Sequence, residues 1–178
     1  KLSQRIMSFL VVATILCNII HSLGPRIYTT GEVSLTDVGL TVEINVTAGY
    51  SINSNNGVSI RLAGNVPNTW IGIGFNDEMD FAPALTCTSA ASSLTERQLG
   101  ARDGGTEKQP QLGAGMCDLS LPEFVWEMPG YDYHGLYTFV PELVDIPIIY
   151  ARGSSTTFAY HGTGKSITIV SLSNCIGE

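Results

Sequence analysis

NTWIGIGFNDEM, residues 68–79, decides the fold. Trp70, Gly72 and Gly74 alternate with Ile71, Ile73 and Phe75, the period of two that a strand imposes because successive side chains leave opposite faces. The Ile-Ile-Phe face suits a core. The other face is largely glycine and cannot fill space by itself, so a neighbouring backbone or a flat ligand must lie against Gly72 and Gly74.

Similar alternation extends in both directions. In EVSLTDVGLTVEINVTA, Val33, Leu35, Leu40, Val42, Ile44 and Val46 recur against polar partners. YSINSNNGVSIRLAG predicts two short strands around Asn55-Asn56-Gly57, whose Asn-Gly step is a hairpin signal. Downstream, ALTCTS reads as a short strand inside a loop-rich region, and SLTERQLGARDGG suggests a helical turn. EFVWEM and LYTFVPEL read as strands joined by PGYDYHG, IPIIYARG as a central strand, and FAYHG and KSITIVSL as the last two. About nine to eleven short strands, with turn signals every 8 to 12 residues, predict an all-β antiparallel sandwich.

Composition narrows the setting. Only 14% of residues are charged, the net charge is −7 and there are nine Lys and Arg, which excludes a phosphate-reading surface and with it nucleic acid. Lys1 and Arg5 precede an apolar stretch from Ile6 to Ile20, and small or polar residues follow before Pro25. Residues 1–24 therefore read as a signal peptide, or, if retained, as a short membrane anchor, and residues 25–178 as one domain in a secreted or extracellular setting. Of the cysteines beyond that segment, Cys87 and Cys117 enclose the most irregular part of the chain and form the favoured disulfide, although Cys175 could replace either. The chain stops six residues after its last predicted strand, so Cys175 could also pair beyond the visible end. Asn45-Val46-Thr47 is a glycosylation acceptor.

Residues that could carry chemistry are few. A Gly-x-Ser-x-Gly elbow is absent. Asp77, Glu78 and Asp80 could contact calcium, but they lack the alternating spacing and terminal Glu of a calcium loop and read rather as solvated acids. Met79 and His161 are more informative together than apart, because a thioether and a neutral imidazole form an axial pair for haem iron. Each follows or adjoins a glycine-containing strand or turn that could lie at one end of the sandwich. Taken singly, each reads as an ordinary packed or hydrogen-bonded side chain. Trp70, Tyr131, Tyr133 and Tyr160 could stack on sugar rings, and His134 is the alternative imidazole.

NTWIGIGFNDEM resembles the signature of DOMON domains, in which a Trp-x-Ala-Ile-Gly-Phe strand is followed within a few residues by methionine. IPIIYARGSSTTFAYHGTGKSITIVSL is similar to the end of that domain: a strand closing in Ala-x-Gly, then Tyr-His with a glycine turn, then an alternating strand. The resemblance spans roughly residues 33–172, with specific motifs over about 30 of them. It departs from the pattern at MDFAPALTC, where Ala82 is followed by Pro83. The resemblance implies an extracellular β-sandwich that binds haem or sugar, with Met79 and His161 at the haem-ligand positions and Trp70, Gly72, Gly74 and Tyr160 lining the pocket. On that basis the chain is expected to hold haem b and pass electrons to or from a redox partner domain or protein, as a carrier rather than an enzyme. The alternatives are a carbohydrate-binding or adhesion module without a redox centre, and an extracellular subunit that self-associates through exposed edge strands.

Overall fold

The computed structural model describes residues 26–49, 56–64, 69–88, 94–100, 105–119, 121, 123–141, 145–155 and 165–176. The segment read as a signal peptide, the first half of the Asn-Gly hairpin, and Tyr160 and His161 lie outside the described residues.

Fourteen strands and no helix occur among the described residues: β1 (Arg26–Leu35), β2 (Leu40–Gly49), β3 (Gly57–Ala63), β4 (Trp70–Gly74), β5 (Pro83–Thr88), β6 (Thr95–Gln98), β7 (Thr106–Glu107), β8 (Ala114–Gly115), β9 (Glu123–Pro129), β10 (Asp132–Tyr133), β11 (Tyr137–Thr138), β12 (Asp145–Gly153), β13 (Lys165–Ser171) and β14 (Ser173–Ile176). Two six-stranded sheets, ordered β14-β1-β2-β3-β9-β8 and β13-β12-β4-β5-β6-β7, are antiparallel throughout, and β10 and β11 form a separate hairpin. Four of the fourteen strands are only two residues long, so the longer ones match the number expected from the alternating runs.

The period-two pattern accounts for the core. Val42, Ile44 and Val46 of β2 face Ile60 and Leu62 of β3 and Phe124, Trp126 and Met128 of β9, while Ile71 and Ile73 of β4 join Leu85, Ile146 and Ile148 from the other sheet. Each fully buried aliphatic side chain contributes roughly 1.5–3 kcal/mol over leaving it exposed. The sheets are stitched together at two places. After Ser171 the chain passes Leu172 and crosses from β13 to β14, which pairs with β1 of the opposite sheet. On the other side, Cys87 of β5 bonds to Cys117 just beyond β8, with Cα atoms 5.5 Å apart. That is the favoured pairing, and it removes Cys175 as an alternative partner for either.

Two expectations need correction. Thr95–Gln98, inside the stretch expected to turn helically, is strand β6, because its backbone pairs with Pro83–Thr86 of β5. LYTFVPEL contributes only the two-residue β11, which pairs with β10 and not with β9. The β10–β11 hairpin instead plugs one end of the sandwich with aromatic rings. Phe75 packs on Phe139 and Tyr133 with centroids 4.9 and 6.0 Å away, and Trp126 approaches Tyr133 at 6.1 Å. The Tyr133 hydroxyl donates to the Ala84 carbonyl at 2.6 Å, locking that plug to β5.

Candidate functional site

Glycine-bearing β4 has two distinct faces. Ile71, Ile73 and, just past its end, Phe75 point inward. Trp70, Gly72 and Gly74 point outward, in register with Gly153, Ala151 and Ile149 of β12 and with Thr88, Thr86 and Ala84 of β5. The glycines are filled by neighbours, as their lack of bulk demands. A Cβ at Gly74 would meet the Ile149 side chain, and one at Gly153 would strike the Trp70 indole. Trp70 is thus 2% exposed, buried as the alternation suggested but on the outer face over Gly153. Between these two covered positions, Thr86, Gly72 and Ala151 make a strip of short side chains across three strands.

Met79 reaches this outer face from the β4–β5 loop. The loop is closed at its base by the Phe75 N–H to Pro83 carbonyl bond at 2.9 Å, and a turn carries the Ala82 N–H back to the Met79 carbonyl at 3.2 Å. The Met79 side chain is half-buried against Ala82, Ala84, Leu99 and Ile149, a small apolar cluster separate from the main core. Phe81 in the same loop has a φ of 61° and is 65% exposed, and Asp77, Glu78 and Asp80 are exposed around it. Among the described residues no group of three His, Cys, Asp or Glu side chains converges.

His161 belongs to the connection between β12 and β13, whose visible ends are Gly153–Ser155 and Lys165. Those ends fix where the connection begins. Gly153 is opposite Trp70, at the start of β4, and Lys165 is opposite Ala151. Met79 follows the other end of β4, beyond Gly74. The two connections therefore start from opposite ends of β4, about 13 Å apart at four strand steps, and the expectation that His161 meets Met79 at one end of the sandwich falls outside the described residues.

The remaining candidates fare differently. Tyr133 is fully buried and its phenol is pushed well above its ordinary range, first by burial, then by the Glu96 carboxylate, with the Arg97 backbone N–H acting in the opposite sense. Neither it nor Trp70 offers a ring face to a sugar. Tyr131 is half-buried, and its hydroxyl donates to the Thr47 carbonyl at 2.8 Å. His134, the alternative imidazole, has its Nε2 hydrogen-bonded to Glu96 and a side chain only 9% exposed.

Glu96 itself is the residue that sequence reasoning missed. It is 0% exposed, and its carboxylate accepts the Leu112 N–H at 2.9 Å, the Gly113 N–H at 2.6 Å and the His134 Nε2–H. Its own N–H donates to the Gln111 amide oxygen at 2.7 Å, and its carbonyl accepts the Lys108 N–H at 2.9 Å. One buried carboxylate thus ties β6, the 105–113 segment and the β10–β11 hairpin together.

Haem chemistry can be tested against the donor set. A thioether held half-buried among Ala82, Ala84, Leu99 and Ile149 has the softness that a methionine ligand to iron needs. The described half of the donor set fits; the imidazole half lies outside the described residues.

No protein-family model matches the chain, and no curated protein sequence matches it. Among solved structures, the cytochrome domain of Myriococcum thermophilum cellobiose dehydrogenase is similar to this chain with a TM-score of 0.51, covering 85% of each chain at 10% identity. At that identity the likeness is one of fold: this chain is a β-sandwich like that cytochrome domain.

Proposed function

We propose that the chain is a secreted, DOMON-like module that binds haem b on the outer face of the β13-β12-β4-β5 layer and serves electron transfer. The observation that carries this reading is the half-buried Met79 thioether, set beside a strip of glycine and alanine in a sandwich similar to a cytochrome domain. Met79 would hold one axial position and His161 the other. Eight residues separate Gly153 from His161, a reach of up to roughly 26 Å, enough to cross the face from the Trp70 end. Bound haem would supply a one-electron change at iron, at a potential raised by the Met-His pair.

This chain's own residues would do the rest. Trp70 and Ile149 border the strip and exclude water, Ala84 and Leu99 hold the thioether in place, and the main-chain turn at Met79–Ala82 fixes its approach. The disulfide between Cys87 and Cys117 supports an oxidising, secretory setting. A net charge of −7 favours a partner with a basic docking face, in an encounter weakened by salt. Exposed Ile167 and Ile169 on edge strand β13 support a second reading, self-association, which sedimentation velocity distinguishes from a monomeric carrier.

Absorption spectroscopy tests the proposal. Protein purified from a haem-replete host should be red, with a sharp α-band on reduction, and Met79→Ala and His161→Ala should each alter the reduced spectrum. Protein that stays colourless after haem addition, or spectra unmoved by both substitutions, would refute it.

A further inference from the structure

We infer that Asn45 carries an N-linked glycan, and that this glycan stands on the sandwich face opposite the one bearing Met79. Asn45-Val46-Thr47 is the chain's single Asn-x-Ser/Thr acceptor sequence. In β2 the alternation sends Val46 inward, where it is 0% exposed, and turns Asn45 and Thr47 outward together. Asn45 is half-buried and stands between Thr30 of β1 and Ser59 of β3, both short. Thr47 has Gly57 beside it on the same face. The Glu43 carboxylate accepts from the Asn45 Nδ2 at 3.1 Å.

This face is chemically unlike the other. Around Asn45 it presents Thr30, Glu43, Thr47, Ser59, Arg61 and Glu123, with Arg61 paired to both acids. A hydrated sugar chain suits such a surface, whereas it would mask the apolar outer face of the other sheet. The second support is independent of the motif: the Cys87–Cys117 bridge belongs to the oxidising compartment in which N-linked transfer occurs. In the transfer step, Nδ2 of Asn45 forms a bond to the anomeric carbon of a polyprenyl-diphosphate oligosaccharide. The carbon–oxygen bond to the diphosphate breaks, the diphosphate leaves with the electron pair, and the displaced amide proton passes to a base of the transferase. No redox change is involved, and the inference does not depend on haem.

The full chain, secreted from a eukaryotic host, is digested with peptide:N-glycosidase and mapped by mass spectrometry, with the Cys87–Cys117 bridge read in the same sample. The expected result is a mobility shift on digestion and deamidation at Asn45, both lost in Asn45→Gln and Thr47→Ala and kept in Thr47→Ser. A bare Asn45 in protein whose bridge has formed overturns the inference. Absence of the bridge in secreted protein overturns it as well, because the bridge is what places the chain in the transferase's compartment.

Discussion

Replacing Glu96 by Ala should be the most damaging single change at any polar position described above. The carboxylate is fully buried and satisfies three donors: the N–H groups of Leu112 and Gly113 and the imidazole of His134. Removing it leaves all three without an acceptor. An unsatisfied buried donor costs about 1–3 kcal/mol. His134 retains 9% side-chain exposure, so water can reach one of the three donors, which places the expected loss at the lower end, about 3–4 kcal/mol. Against a typical stability of about 5–15 kcal/mol that is a large share. Glu96→Gln keeps the shape and one acceptor oxygen for the two N–H groups, and should lose about 1 kcal/mol. Urea unfolding measures both: with a slope of about 1–3 kcal/mol/M, Glu96→Ala should lower the midpoint by about 1 M or more. A double-mutant cycle with His134→Ala then isolates the pair. If Glu96→Ala unfolds within error of the parent, or if Glu96→Gln is equally harmful, the carboxylate is not the tie described here.

Two further outcomes follow from the same geometry. Replacing Cys87 and Cys117 with serine opens a loop closed over 30 residues, which should lose about 3–4 kcal/mol; oxidised and reduced protein melting at the same temperature would contradict it. Tyr133 stays protonated in the folded chain, while an unfolded tyrosine ionises at about pH 10. Its contribution is therefore full below about pH 10 and drains as pH rises beyond it. Tyr137, raised by burial, adds to the same slope. Tyr133→Phe should be less stable at neutral pH, having lost the bond to Ala84, yet fall less steeply in alkali; identical alkaline slopes in urea titrations would show that the phenol does not drive the loss.

The longer strands were legible wherever side chains alternate, because alternation records which face each residue gives to the core. Val42, Ile44 and Val46 of β2 and Ile71 and Ile73 of β4 show this directly. β6 was not legible. Its four residues, Thr95, Glu96, Arg97 and Gln98, carry no apolar alternation, and they form a strand because β5 offers them a backbone ladder. The burial of Glu96 was hidden for a related reason: its partners come from residues 16, 17 and 38 positions downstream, a convergence that no local window records. The disulfide was readable from the irregular segment it closes. Nothing near His134 in the sequence reveals its partner Glu96.

The relation between Met79 and the connection holding His161 follows from strand direction alone. β4 and β12 are antiparallel neighbours, so their C-terminal ends lie at opposite edges of the sheet, and any residues that follow them start apart. In a parallel sheet the same order would gather both loops at the carboxyl edge, where ligands of open α/β sheets bind. An antiparallel sandwich has no such shared edge for these two strands. On the proposed reading, a ligand held by residues following β4 and β12 would lie along the sheet, over a stretch of small side chains. Gly72 and Ala151, paired across the middle of the two strands, supply that stretch.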